Sequence, residues 1–275
     1  MLFERARQQL EARQSQGLLR QTQVFQRVDA RQLWFEDKPY LNFSSNDYLG
    51  IGSERNETAA AAFGALASPL VVGRSQAHDA LEQELYEWLD VPSSMSCLLF
   101  SSGFAANTGV IRTLFNTKSG NAILLQDKLN HASLLDAGLV CQAQRHVKQY
   151  RFNHNDIAHV SELLSKYKAG DCPSLVACEG VYSMDGDSPM LTSLQALVKQ
   201  HSVPWLLDDA HGIGVRGKEG RGSLDAQGLS VSDCDILVVT FGKALGAQGA
   251  AVIADRAITD YLTNFCKEYI YSTHL

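Results

Sequence analysis

The sequence contains no C-x-x-C pair. Its six cysteines (Cys97, Cys141, Cys172, Cys178, Cys234, Cys266) are scattered, several inside apolar runs. This speaks against a zinc or disulfide framework and reads as reduced core thiols, with no metal expected. No run approaches the roughly eighteen apolar residues of a membrane span. The N-terminal stretch MLFERARQQLEARQSQGLLRQ has no apolar segment and mixes Glu with Arg, so it reads as a polar amphipathic helix rather than a signal peptide. A polybasic block is also missing. Against 24 Lys and Arg stand 30 Asp and Glu, a formal net charge of -6, which argues against a nucleic-acid surface or a membrane anchor. Internal repeats and low-complexity tracts are absent as well. What is present is 275 residues that are 45% hydrophobic, enough for a sizeable core. A soluble cytoplasmic enzyme is the expectation.

After the N-terminal helix, WFEDKPYLNFSS suggests two short strands around a D-K-P turn. Residues 59–66 and 77–89 read as helices, the second with apolar Leu81, Leu85, Trp88 and Leu89 on one face. GALASPLVVGRSQ between them reads as a loop. From Cys97 onward, short apolar runs (CLLF, AILL, SLVACE, WLLD, ILVVT, AAVI) alternate with amphipathic stretches such as DIAHVSELLSKYK and LTSLQALVKQH. Runs of four to six apolar residues fit strands buried on both faces, and the rhythm predicts an α/β layered fold with a largely parallel sheet.

In such sheets, ligands sit beyond the carboxyl ends of the strands. WLLDDAHGIGV delivers Asp208, Asp209 and His211 there, and ILVVTFGKALGAQGAAVI delivers Thr240 and Lys243. A lysine after a strand is usually a solvated cap. Here a carboxylate, an imidazole and a hydroxyl arrive with it, and small residues follow that let another group approach the backbone. Lysine forms a Schiff base with an aldehyde, and a carboxylate holds a pyridine nitrogen protonated, so the set suits a pyridine-aldehyde cofactor. Alternation along a strand lets only one of the two aspartates face a given side, and Asp208, nearer the strand proper, is the candidate. SSGFAAN (101–107) lies between a strand and a helix, where backbone N–H groups can hold a phosphate, although an ordinary capped helix start would look the same. His131 opens the next helix at the same sheet edge and could stack on a ring. GIGVRG (212–217) matches G-x-G-x-x-G but opens no helix; it reads as a flexible surface hairpin, not a dinucleotide site.

NFSSNDYLG (42–50), SSGFAAN (101–107), NHASLLDA (130–137), EGVYSMDGD (179–187), DDAHGIGV (208–215), TFGKALG (240–246) and IYST (270–273) together resemble the α-oxoamine synthases, in order and over nearly the whole chain. The resemblance implies the large domain of a fold-type-I pyridoxal-phosphate-dependent transferase. Its mostly parallel sheet would carry helices on both faces and occupy residues 42–275, after an N-terminal helix and short strands in 1–41. The spellings favour the alanine-using branch, which condenses L-alanine with a pimeloyl thioester of coenzyme A or acyl carrier protein. A glycine- or serine-using relative and an inactive cofactor-binding scaffold are the alternatives.

Carried over by position, the resemblance implies these roles. Lys243 bonds pyridoxal 5'-phosphate and moves the substrate Cα proton. Asp208 pairs with the ring nitrogen, His211 meets the ring oxygen, and His131 stacks on the ring and lies near the substrate. Gly103 and Phe104 lie near the phosphate, with Ser183 and Thr240 as hydroxyl contacts. Arg20 and Asn46 face the substrates. Ser272 or Thr273 reaches the partner subunit's phosphate in a homodimer. The loop 64–73 carries fewer glycines than many relatives show. Family chains also continue for about one small domain, which carries the arginine for the substrate carboxylate. Its absence from these residues leads to the expectation that the large-domain fold is kept and synthase activity is low.

Overall fold

The structure, a computed structural model, describes residues 2–20, 22–29, 31–53, 67–116, 121–143, 146–167 and 172–274. The helix expected over 59–66, and the start of the 64–73 loop, lie outside them. The chain divides into two compact units, Met1–Ser45 and Asn46–Leu275.

The first unit holds helix α1 (Leu2–Ser15) and a three-stranded antiparallel sheet of β1 (Gln26–Arg27), β2 (Gln32–Phe35) and β3 (Lys38–Leu41). The β2–β3 turn is not at D-K-P as the sequence suggested. Glu36 and Asp37 both take left-handed φ, 47° and 60°, which makes them the two central residues of the turn. Lys38 and Pro39 already belong to β3, an edge strand where a residue without an N–H is tolerated.

The second unit is a seven-stranded sheet in the order β4-β10-β9-β8-β7-β5-β6. The strands are β4 (Met95–Phe100), β5 (Ala122–Asp127), β6 (Val147–Phe152), β7 (Ser174–Glu179), β8 (Trp205–Asp208), β9 (Ile236–Thr240) and β10 (Ala250–Asp255). All run parallel except β10, which is antiparallel to both neighbours. On one face pack α2 (Gln76–Trp88), α5 (Ile157–Lys166) and α6 (Leu191–Gln200), burying Leu85, Leu164 and Leu194 against Leu99, Val176, Leu207 and Val239. On the other lie α3 (Gly103–Leu114), α4 (Ala132–Gln142) and α7 (Arg256–Phe265), burying Val110, Leu134 and Leu262 against Phe100, Leu124, Leu206 and Val252. Both sheet faces are therefore covered, which is why the central strands read as unbroken apolar runs. No helix among the described residues is long and apolar enough to cross a membrane.

Two local readings are corrected. Pro69–Gly73, expected as loop, forms one π-helical turn. Residues 212–217 are not a flexible hairpin: Gly212 and Ile213 are buried, and the Gly214 N–H donates to the Gly220 carbonyl at 2.7 Å. Gly214 has φ 77°, a conformation that disfavours any side chain.

Candidate active site

Strand pairing fixes which side chains meet at the carboxyl edge. Glu179 pairs with Asp208, and Asp208 with Val238, so all three side chains share one face. Leu206 and Val238 belong to the core under α3 and α4, which puts Asp208 and Glu179 on that side of the sheet. Thr240, two residues past Val238, shares it, and the register lines Thr240 up with Ala250 and Phe100. The edge thus brings the end of β9 beside the end of β4, where α3 begins.

Asp208 is buried, 4% exposed. Its carboxylate accepts from the Asn107 amide at 2.6 Å and from the Ala210 N–H at 3.0 Å. Asn107 also donates to Ser133 Oγ at 3.0 Å, and Ser133 lies 2.8 Å from His131 Nδ1. Asp209 turns to the opposite face, where the Ser223 N–H and hydroxyl hold it at 2.7 and 2.6 Å. His131 caps α4, donates its N–H to the Glu179 carboxylate and meets the exposed Phe104 ring edge-on at 6.4 Å.

Lys243 is half-buried in the loop between β9 and β10. The loop is tied by Gly246 N–H to Lys243 O, Ala247 N–H to Phe241 O and Thr240 Oγ to Gly249 O, at 2.9, 2.9 and 3.1 Å. Gly246 takes φ 63° where the backbone of Ile51 and Gly52 packs against it, the close approach that small residues permit. Lys243 Nζ lies 2.6 Å from His211 Nε2, and His211 Nδ1 lies 2.7 Å from the Tyr48 hydroxyl.

Burial sets the electrostatics. It lowers the Lys243 pKa, opposed by the charges of Asp208 and Glu179. It pulls His211 down to about 4, with the Lys243 charge acting in the same direction, so the imidazole is neutral near pH 7. Burial, then the Asp208 charge, pushes Glu179 up to about 8. Burial also pushes Asp209 up to about 7 against its bonds to Ser223. Ser102 caps α3 by accepting the Ala105 N–H on Oγ at 3.1 Å and the Ala106 N–H on its carbonyl at 3.0 Å. The N–H groups of Gly103 and Phe104 remain at the helix mouth, with no acceptor among the described residues.

These shifts predict a pH dependence. Glu179 and Asp209 keep protons in the folded chain that the unfolded chain has already released. The folded form binds more protons, so stability falls as pH rises from about 6.5 to 8. Below about 6.5 the half-buried imidazole of His211 and the buried one of His274, both held down to about 4, act in the opposite sense. Melting of the cofactor-free protein should therefore occur at lower temperature at pH 8 than at pH 6.5, and Glu179→Gln should shrink the difference. A melting temperature that rises across this interval contradicts the assignment.

Within the second unit, Ser183, Asn46 and Ser272 are not drawn into this group among the described residues. Ser183 is exposed on the turn after β7, with no bond to the group among the described residues. Asn46 is exposed at the start of the second unit, and Arg20 is exposed in the first. Ser272 is half-buried near the chain's end, its hydroxyl 3.4 Å from the Thr273 carbonyl. Three residues not singled out from sequence do belong: Glu179, Asn107 and Tyr48. A carboxylate closing the otherwise apolar run SLVACE was the available signal for the first.

The donor set suits pyridoxal phosphate. Asp208 is buried with its carboxylate held by Asn107 and Ala210, an acceptor that a cationic ring nitrogen beside it would match. A desolvated amine and an open helix N-terminus complete the set. Fold and donors together define a fold-type-I pyridoxal-phosphate enzyme. The aminotransferase class I and II profile matches residues 38–275, and the chain belongs to that family.

Within it, 8-amino-7-oxononanoate synthase from Vibrio cholerae is 46% identical over 98% of this chain and 67% of its own length. The enzyme of that name from Salmonella paratyphi B is 43% identical over 97% and 67%. Among solved structures, Sphingomonas wittichii serine palmitoyltransferase superposes with a TM-score of 0.84 at 26% identity, over 99% of this chain and 68% of that one. 8-Amino-7-oxononanoate synthase from Francisella tularensis gives 0.68 at 30%, over 85% and 64%. The chain is a pyridoxal-phosphate-dependent acyltransferase of the α-oxoamine synthase kind, and it spans about two thirds of the length of these curated relatives.

Proposed function

We propose that the protein condenses L-alanine with a pimeloyl thioester, releasing carbon dioxide, the free thiol and 8-amino-7-oxononanoate, a step of biotin biosynthesis. The observation that carries this reading is the half-buried Lys243 amine beside the buried Asp208 and Glu179 carboxylates at the strand edge. The names and identities of the relatives support the choice of substrates.

Bound pyridoxal phosphate supplies an electron-poor ring that accepts the electron pair left when a bond at the substrate Cα breaks. Asp208 would keep the ring nitrogen protonated, and Asn107 holds that carboxylate in place. His211 would meet the ring oxygen, His131 would lie against the ring, and the N–H groups of Gly103 and Phe104 would hold the phosphate, with Thr240 and Ser183 as hydroxyl neighbours. Lys243 would hold the cofactor and, as a free amine, would take the alanine Cα proton; its lowered pKa keeps more of it neutral near pH 7. The Cα then bonds to the thioester carbonyl carbon, the thiolate leaves, and the alanine carboxyl departs as carbon dioxide. Arg20 and Asn46 are assigned to the substrates. Ser272 or Thr273 is assigned to the phosphate of a partner subunit in a cytoplasmic homodimer.

Proton exchange tests the reading without the acyl donor. Protein loaded with pyridoxal phosphate in deuterated buffer should replace the Cα hydrogen of L-alanine, faster than those of glycine or L-serine, as read by proton NMR. Faster exchange of serine or glycine would assign a different amino-acid substrate. A loaded protein that exchanges none of the three would be a binding scaffold.

A further inference from the structure

The imidazole of His211 is held from both ends. Tyr48 Oη lies 2.7 Å from Nδ1 and Lys243 Nζ lies 2.6 Å from Nε2. The Tyr48 ring stands 6.2 Å from the imidazole and is tilted by 31°, so the hydroxyl, not ring stacking, makes the contact. Tyr48 sits in a turn closed by its own N–H to the Asn46 carbonyl at 2.9 Å and by the Gly50 N–H to the Asp47 carbonyl at 3.2 Å. The backbone just beyond it, at Gly52, packs against Gly246 of the Lys243 loop. The phenol and the amine are thus presented to one imidazole by two segments locked together.

We infer that Tyr48 is a positioning residue that supports His211 in either tautomer, so that Nε2 can accept from or donate to the group beside Lys243. This rests on Lys243 being the cofactor-bonding lysine. A neutral imidazole carries one N–H and one bare nitrogen. Where Lys243 is protonated it can only donate, so in that form of the cofactor-free protein Nε2 is bare and the Nδ1–H donates to the Tyr48 oxygen. When the neighbour accepts instead, as the ring oxyanion of pyridoxal phosphate does, Nε2 must carry the proton and Nδ1 must be bare. Only a partner on Nδ1 that can both accept and donate serves both states. A tyrosine hydroxyl does; phenylalanine does neither.

Two further observations fit. Burial raises the Tyr48 pKa, which keeps the phenol protonated and able to donate at neutral pH. Burial, with Lys243 and His131 acting in the same direction and Asp208 against them, keeps His211 itself neutral there, so which nitrogen carries its proton is what its partners fix. Tyr48 is 44% exposed, so loss of its oxygen alone leaves packing nearly unchanged.

The test reads histidine nitrogen shifts by NMR in cofactor-free protein, wild type against Tyr48→Phe, with His211→Gln to assign the signal. Wild-type His211 should show a protonated Nδ1 and a bare Nε2. In Tyr48→Phe the Nδ1 shift should move as its hydrogen bond to the phenol is lost, and the dissociation constant for pyridoxal phosphate should rise by roughly three- to tenfold, the loss of one hydrogen bond. A second variant approaches from the other side. Lys243→Met removes the donor on Nε2 and should switch His211 to the Nε2–H form, with Tyr48 donating to Nδ1. His211 shifts that are the same in wild type and Tyr48→Phe overturn the inference. A wild-type protein that binds no cofactor at Lys243 would instead overturn the proposed function, while the nitrogen shifts would still decide the role of Tyr48.

Discussion

Replacing Lys243 by alanine is expected to abolish the visible absorbance of cofactor-loaded protein and to slow exchange of the alanine Cα hydrogen by roughly 10⁴-fold. The two losses share one cause. On the proposed reading the same nitrogen bonds the cofactor and, once freed, moves the proton, and among the described residues no other lysine is bonded to His211. The fold should survive, because the loop is tied by its backbone: Gly246 N–H to Lys243 O, and Ala247 N–H to Phe241 O. A direct check needs no activity. The Lys243 charge depresses the His211 pKa, second to burial, so in Lys243→Ala that pKa should rise from about 4 without reaching its ordinary value. A variant that retains both the visible band and the exchange would show that another amine does the chemistry.

Asp208→Asn should lower the exchange rate by about 10³-fold while cofactor still binds, because removing a charge aimed at the reacting system costs transition-state stabilisation rather than occupancy. The change keeps the shape of the side chain. Its oxygen can still accept one of the two bonds now made by Asn107 and Ala210, but the amide cannot hold a pyridine nitrogen in its charged form. The proton on Glu179 should also become easier to lose, since the Asp208 charge is the second cause of its high pKa. Asp209→Asn is the comparison. That side chain faces the other side of the sheet and bonds Ser223, so its loss should lower stability and leave exchange nearly intact. If Asp209→Asn is the variant that stops exchange, the assignment of strand faces is wrong.

How far the sequence could be read depended on the kind of contact involved. The buried strands were legible because helices on both faces make them continuous apolar runs. β6, VKQYRF, was not: it is an edge strand with a polar, part-exposed middle, and no apolar run marks it. The face of Asp208 followed from alternation alone. Its partner Asn107 did not, because the bond joins residues 101 positions apart across α3 and β8. Tyr48 and His211 are 163 positions apart, and nothing local in NFSSNDYLG announces an imidazole partner. The turn at Glu36–Asp37 was misplaced because Pro39 looked like punctuation, whereas an edge strand absorbs it. The glycines of 212–217 suggested flexibility when in fact they permit tight packing around Gly214.

The central claim is that Lys243 is the amine that bonds pyridoxal phosphate at the edge shared by Asp208 and His211. Borohydride reduction of the loaded protein fixes the cofactor to whichever lysine holds it, and digestion with mass spectrometry then locates it. The account predicts a single added mass on the peptide containing Lys243, with loss of the visible band in the same proportion. A reduced adduct on any other lysine would contradict it.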